Sequence, residues 1–324
     1  MKVLSFFLTA ALLMQSFAQA AEGKTVRLLT IGNSFSRNAT NHLGQLAKAG
    51  GHTLVHTPIV VGGASLELHS EKAISNAKDP KSKAGLYTNG RSLVQELGAE
   101  KWDYVTVQQA SIKSHDEATY QPHADRLAEL IHKHAPAASI LVHQTWAYRV
   151  DDPRFTKPNN KPGEPLTQKE MYEKLTAAYK ALAAHLHARR LPVGDAFYLA
   201  DTDPVWGFKA GELFDPKTAK NPDVPKQLHS LHVGWRWQKG KDGKVRLIMD
   251  GHHANVTGEY LGGCVWYEVL FGESAVGNSY IPKGLDAAYA RFLQETAHKA
   301  VIQAGPAGVK PEKSPAAVDA VPQQ

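Results

Sequence analysis

The sequence contains a single cysteine, Cys264, among its 324 residues. One thiol excludes an intrachain disulfide framework and any structural zinc site built on several cysteines. Cys264 lies in an apolar stretch of helical character, which favours a buried core thiol. The chemistry of this chain therefore has to come from other side chains.

Dense runs of lysine and arginine are also missing, and so are nucleic-acid-binding motifs. The formal net charge of +6 is spread along the chain, which favours solubility and predicts no nucleic-acid partner.

Two catalytic signatures are absent as well. Without an H-E-x-x-H motif or a G-x-S-x-G elbow, the sequence supports neither that zinc protease motif nor the α/β-hydrolase family.

The N-terminal segment has the features of an export signal. A basic start and an apolar run at residues 3–14 precede a small-x-small site at 18–20. The run is too short to span a bilayer well, although a retained membrane anchor is the alternative. We therefore predict a signal peptide over residues 1–20, cleavage near Ala20, and an exported protein, periplasmic or extracellular, without a stable membrane anchor.

Apolar runs of strand length alternate with helical patterns over most of the chain. The predicted strands cover residues 26–31, 52–61, 101–107, 138–143 and 191–195. The predicted helices cover residues 39–48, 122–134, 167–189, 257–271 and 284–303. Alternation of this kind implies parallel βαβ units, so the predicted class is α/β with helices on both faces of the sheet.

A single domain is predicted over residues 21–305. Within this domain we predict a β-hairpin insertion at about 231–249, where two apolar runs flank a glycine-containing turn. This hairpin is either scaffold or a wall of the site, since it directly precedes the segment DGHH at 250–253. Residues 306–324 are rich in Pro, Ala, Lys and Gln and are predicted to form a disordered tail.

Three residues form a candidate for nucleophilic catalysis. Ser34 stands at a strand-turn-helix junction, where its hydroxyl can be exposed and its backbone N–H can face an oxyanion; the alternative is a simple helix cap. Asp250 and His253 are three residues apart, so the carboxylate can fix the imidazole tautomer and stabilise the imidazolium. The alternative, a polar turn, does not require two histidines. Together they predict a Ser-His-Asp triad.

These motifs resemble those of the SGNH/GDSL hydrolase superfamily. GNSF at 32–35 resembles the GDSL nucleophile motif, and DGHH at 250–253 contains the terminal D-x-x-H spacing. The likeness is strongest to a bacterial subfamily of unknown function with GNSF, a strand ending in Gln and a terminal D-G-x-H. The resemblance covers about residues 26–305. It implies a three-layer α/β/α sandwich with a flavodoxin-like, five-stranded parallel sheet, and ester hydrolysis through a seryl intermediate without metal or organic cofactor.

The resemblance also implies an oxyanion hole, with one departure. Gly62 and Gly63 match the position of the family glycine that supplies an N–H beside that of the nucleophile. The family's G-x-N motif is absent, and the third strand ends in two glutamines. The amide of Gln108 or Gln109 could donate instead, and strand alternation allows only one to reach the site. The subfamily resemblance selects Gln108.

The remaining candidates concern the substrate. His252 is expected to line the site or pack beside it. Trp146, Trp235 and Trp237 flank the motif segments, either as partly buried core residues or as platforms for sugar rings. The expected substrate is a small-molecule or polysaccharide ester, such as an acetylated carbohydrate, by analogy and from the predicted export.

Two other functions compete with the esterase hypothesis. One is a metal-dependent hydrolase that uses Asp250, His252 and His253 as ligands. The other is a non-catalytic carbohydrate-binding relative whose site has decayed, as the missing G-x-N motif suggests.

Overall fold

The computed structural model describes residues 23–156, 163–211 and 214–305, so the predicted signal peptide and the predicted tail lie outside the described residues. Five parallel strands form the central sheet in the order β2-β1-β3-β4-β5. These strands are β1 (Thr25–Gly32), β2 (Thr53–Val60), β3 (Tyr104–Val107), β4 (Ser139–His143) and β5 (Arg189–Leu191). The predicted five-stranded parallel sheet is thereby confirmed.

Ten α-helices occur in the described ranges. They are α1 (Ser34–Thr40), α2 (Leu43–Ala49), α3 (Leu66–Lys78), α4 (Leu93–Leu97), α5 (His123–His134), α6 (Pro153–Thr156), α7 (Gln168–His185), α8 (Val193–Asp201), α9 (Val256–Phe271) and α10 (Ala287–Ala304). Within those same ranges, no helix has the length and apolar character needed to cross a membrane.

The direction of each strand connection sets the two helical layers. The chain passes from β1 to β2 in one direction along the sheet and then reverses, so that β3, β4 and β5 follow on the other side of β1. Because parallel crossovers are right-handed, this reversal places α1 and α2 on the opposite face from the later connecting helices. The reversal also creates a switch point beyond the carboxyl end of β1, where open α/β sheets bind ligands.

Helix α9 is the centre of one layer. It packs against α1, α2, α8 and α10, and thirteen of its sixteen residues are buried. A helix that is apolar on all sides is suited to such a position. Cys264 lies on α9 and is fully buried, as expected for a core thiol.

Two sequence-based assignments need correction. The predicted fifth strand at 191–195 ends at Leu191, and Val193 starts α8, because Pro192 can precede a helix but donates no ladder hydrogen bond. The helix predicted over 39–48 is two helices, and the first of them begins earlier, at Ser34. The nucleophile candidate therefore lies in the first turn of a helix and not in a preceding turn.

The antiparallel hairpin is formed by β6 (His232–Lys239) and β7 (Val245–Ala254). β7 continues through the segment DGHH, so this segment is not a polar turn. The register shifts between the pairs Gly234↔Asp250 and His232↔Ala254, so three residues of β7 lie opposite one residue of β6. A bulge of this kind bends the strand and redirects its side chains, which brings Asp250 and His253 onto the same side.

The contact between α9 and α1 can be tested at Gly262. A Cβ added there would lie 3.0 Å from the Cα of Ala39, whereas a Cβ added at Gly44 would meet no atom within 4 Å. We expect Gly262→Val to lower the free energy of unfolding by about 1–3 kcal/mol through overpacking. Gly44→Val, the matched control in an exposed helix position, should change it by less than about 0.5 kcal/mol. Urea unfolding of both variants measures the difference, and equal stabilities would show that α9 and α1 can separate at little cost.

Candidate active site

Ser34 occupies the first turn of α1, directly after β1. The helix is capped by the neighbouring Asn33, whose side-chain oxygen accepts a hydrogen bond of 2.9 Å from the backbone N–H of Phe35. The Ser34 hydroxyl therefore does not cap the helix. Its Oγ lies 2.9 Å from Nε2 of His253. The alternative interpretation of Ser34 as a simple cap does not describe this geometry.

Asp250 holds the other side of the His253 ring. Its carboxylate accepts from Nδ1 of His253 at 3.0 and 3.1 Å and from the backbone N–H of the same residue at 3.1 Å. Burial raises the pKa of the Asp250 carboxyl, but these hydrogen bonds and the charges of both neighbouring histidines outweigh it and hold the pKa well below its usual value. With Nδ1–H donating to a carboxylate, Nε2 is left to accept the proton of Ser34.

His252 takes part in the site without touching the nucleophile. Its Nδ1 lies 3.2 Å from Asp250, and its ring stands 4.3 Å from that of His253. Burial is the main cause that lowers the pKa of His252 to about 4. The ring is therefore neutral near neutral pH and lines the cavity beside the triad.

The loop after β4 braces the segment that carries these groups. The indole N–H of Trp146 donates to the backbone carbonyl of His252 at 2.9 Å. The backbone N–H of Arg149 donates to the carbonyl of Gly251 at 2.7 Å. These two bonds fix the bulged part of β7 at the carboxyl end of the sheet, opposite Ser34.

A cavity of about 210 Å³ opens at Ser34. Its lining residues are Asn33, Ser34, Phe35, Gly63, Ala110, Ser111, Ile112, Tyr148, Arg154, His252 and His253. Gly63, and not Gly62, belongs to this wall. Gly63 has a φ of +67°, a left-handed conformation that glycine adopts without strain. Ser34 and Gly63 both line this wall, so their backbone N–H groups are the candidate oxyanion donors.

The expectation that Gln108 completes the oxyanion hole needs correction. Gln108 is buried, and its amide donates to the side-chain oxygen of Asn33 at 2.7 Å, while its own oxygen accepts from Nδ1 of His143 at 2.7 Å. Asn33 in turn donates to the carbonyl of Ala64, next to Gly63, at 2.8 Å. Gln108 therefore positions the nucleophile turn and the glycine turn through Asn33.

Gln109 is also used inside the fold. Its amide donates to the carbonyl of Thr119 at 2.9 Å, and its oxygen accepts from the backbone N–H groups of Leu66 and Ala110. The side-chain amides of both glutamines thus form hydrogen bonds with other groups inside the fold. The cavity wall after β3 is formed instead by Ala110 and the residues that follow it.

The three tryptophans do not form a sugar platform in the cavity. Trp146 is fully buried and stacks between Phe35 and Phe197, each at a centroid distance of 4.4 Å. Trp235 and Trp237 lie on β6, paired with Met249 and Leu247, so they alternate away from the face that carries Asp250. Of the two interpretations, core burial describes Trp146.

Four residues at the site were not anticipated as functional: Asn33, Ser111, Tyr148 and Arg154. The preference of asparagine for helix N-caps could have indicated Asn33. Tyr148 follows β4, at the carboxyl end where ligands bind, which was an available clue. No pattern in the sequence distinguishes Arg154 from other surface arginines.

The same three polar side chains on β7 could also hold a cation. One ligand atom from each of Asp250, His252 and His253 lies within 4.8 Å of the others. In the described geometry, however, both ring nitrogens of His253 already have partners, Asp250 and Ser34. A metal ion would have to displace one of these two contacts.

Comparison with known proteins identifies relatives of the same fold. Residues 27–185 match the family model for DUF4886, a domain of unknown function. A crystal structure of a DUF4886 family protein from Bacteroides uniformis has 25% sequence identity and a TM-score of 0.65, and the match covers 86% of this chain and 95% of that chain. The curated proteins contain no match.

More distant structures come from the SGNH and lipase groups. A candidate SGNH hydrolase from Slackia heliotrinireducens has 21% identity and a TM-score of 0.45, with 75% of this chain and 98% of that chain covered. Phospholipase A1 from Streptomyces albidoflavus has 14% identity and a TM-score of 0.37, with coverages of 78% and 99%. The match over residues 27–185 and the DUF4886 structure agree with the expected resemblance to a bacterial family of unknown function.

The structural role of Gln108 can be tested by Gln108→Met, which keeps the volume and removes both hydrogen bonds. We expect the free energy of unfolding to fall by about 1–3 kcal/mol, because the buried Asn33 and His143 each lose a partner. Gln45→Met, a control at an exposed glutamine on α2, should change it by less than about 0.5 kcal/mol. Chemical denaturation measures both.

A different result would restore the original expectation for Gln108. If stability stayed unchanged while kcat on an ester fell by about 10²–10³ at constant KM, the amide would have to contact the oxyanion directly.

Proposed function

We propose that this chain, whose residues 27–185 match the DUF4886 family model, is a serine esterase. The observation that carries the proposal is one continuous chain of contacts from Ser34 through His253 to Asp250, with distances of 2.9 and 3.0 Å. Nucleophile, base and orienting carboxylate thus stand in the order that acyl transfer requires.

The proposed reaction begins with the transfer of the Ser34 proton to Nε2 of His253. Ser34 Oγ attacks the ester carbonyl carbon, and the negative charge moves to the carbonyl oxygen. Asp250, ionised because of its low pKa, stabilises the imidazolium that forms. His253 then gives its proton to the leaving alcohol, and water repeats the sequence on the acyl-enzyme to release the acid.

The oxyanion of the tetrahedral intermediate is assigned to two backbone donors, the N–H groups of Ser34 and Gly63. Both residues line the cavity, and both turns are tied to Asn33, which accepts from Phe35 and donates to Ala64. Donors held in this way need little rearrangement when charge develops, which is the main source of their catalytic effect.

For the substrate, we propose a short acyl group on a carbohydrate or other small alcohol. A cavity of about 210 Å³ is smaller than the roughly 300–1,000 Å³ that drug-sized ligands occupy, which suits an acetyl group. Export to the periplasm or the outside, proposed from residues 1–20, would bring the enzyme to acetylated polysaccharides. Neither partner nor cofactor beyond the ester and water enters this mechanism.

A metal-dependent hydrolase is the second candidate, because Asp250, His252 and His253 lie close enough to bind one ion. The triad explains more of the geometry, since it accounts for the contact between His253 and Ser34. The remaining alternative, a non-catalytic carbohydrate-binding relative, makes no use of that contact. Labelling by a serine-directed fluorophosphonate, lost in Ser34→Ala, separates it from an enzyme.

The two adjacent histidines provide the sharpest test of the triad. We expect Ser34→Ala and His253→Ala each to lower kcat on an aryl acetate by about 10⁵ or more, and the double variant to fall little further, because triad members act as a unit. His252→Ala should lose far less, since its ring contacts Asp250 and not Ser34. Steady-state kinetics, with melting curves as a folding control, measure all four proteins. A dead His252→Ala with an active His253→Ala would contradict the assignment.

Chelation separates the two hydrolase candidates. Incubation with a strong chelator should leave the activity of the triad enzyme within about twofold, because His253 acts as a base and not as a ligand. Activity is then measured again after adding zinc. Loss on chelation and recovery with zinc would replace the triad with the metal site.

A further inference from the structure

Arg154 gives the catalytic cavity a permanent positive charge. The other ten lining residues are apolar, neutral polar or histidine, and of the histidines His252 has its pKa lowered to about 4, chiefly by burial and further by the charge of Arg154. Asp250 stands behind the histidines, within 3.7 Å of Arg236. Arg154 is therefore the permanently charged side chain in the cavity lining.

The local structure holds Arg154 at the wall. Its backbone N–H donates to the carboxylate of Asp152 at 2.9 Å, at the start of α6. Its guanidinium lies 4.5 Å from the ring centroid of Tyr148, and the hydroxyl of Tyr148 is 3.0 Å from that of Ser111. The guanidinium also forms a hydrogen bond with the Tyr148 hydroxyl. A guanidinium has five N–H donors, so the others can bind a ligand.

Within the described ranges, no ion pair within 4 Å joins the Arg154 guanidinium to a carboxylate, although its charge opposes the burial that raises the pKa of the Asp152 carboxyl. The nearby Asp152 is packed against Gly251, where an added Cβ would lie 2.5 Å from its Oδ2. Lys113, on the neighbouring surface, differs in this respect, because its ammonium group is 2.8 Å from Glu67. The sequence at 157–162, KPNNKP, holds no acidic residue either.

We propose that Arg154 selects esters that carry a carboxylate near the ester bond, so that the preferred substrate is an acylated acidic molecule. The proposal rests on the proposed esterase function. A guanidinium that forms no ion pair with a carboxylate of the described ranges, on the wall of a cavity that holds the nucleophile, can bind a carboxylate by two parallel hydrogen bonds. The anionic group then orients the acyl carbon toward Ser34.

The test compares two acetate esters that differ in charge and little in shape: 4-acetoxybenzoate and its neutral analogue 4-acetoxybenzamide. We expect the ratio of their kcat/KM values, anion over neutral, to fall by about 5–10-fold in Arg154→Gln, through a higher KM for the anion. Arg154→Lys should keep part of the preference. Lys113→Gln, which removes an equal charge outside the cavity, should keep all of it. Added salt should weaken the preference of the unaltered protein.

Two results would overturn the proposal. The first leaves the esterase function in place, and the second removes it. If the unaltered protein and Arg154→Gln hydrolyse both esters with the same ratio, Arg154 does not select the charge and the esterase function stands. If the unaltered protein hydrolyses neither ester and no fluorophosphonate labels Ser34, the esterase function fails and this inference fails with it.

Discussion

The packing of α9 against α1 is the constraint on which the site depends. Ser34 opens α1, and His253 lies just before α9, so the distance between them is set by how these helices meet. Gly262 allows the two backbones to approach closely, and the carboxylate of Glu259 on α9 accepts from Asn38 and Asn41 at 2.7 Å each. A buried helix thus transmits its position to a hydrogen bond of 2.9 Å at its N-terminal end.

The bulge in β7 supplies the second condition. In a regular strand, residues three apart point to opposite faces, so Asp250 could not reach the ring of His253. The shifted register removes this obstacle, and the bonds from Trp146 and Arg149 keep the bent backbone in place. The hairpin, which the sequence predicted to be an insertion, therefore helps to bring together the groups of the proposed triad.

The sequence predicted the fold class and the grouping of Ser34, Asp250 and His253, because strand periodicity and motif spacing are local properties. It failed where a side chain had two possible partners. Gln108 was assigned to the oxyanion from its place at the end of β3, but its donor meets Asn33, and only the packing of β1 against β3 decides this. The choice left open for Trp146, between core burial and a sugar platform, was likewise beyond the sequence, because burial of an indole depends on the residues that surround it.

The polar groups of the site fall into two sets with different surroundings. Asn33, Gln108 and His143 are buried and joined by hydrogen bonds through Gln108, so their main effect is to fix the geometry of the turns. Arg154 and Ser111 stand on the cavity side, supported mainly by Tyr148. Changes in the first set would disturb the nucleophile and oxyanion turns together. Changes in the second would alter the cavity wall while the contacts among Ser34, His253 and Asp250 stay in place, so the proposed substrate preference can vary independently of the proposed chemistry.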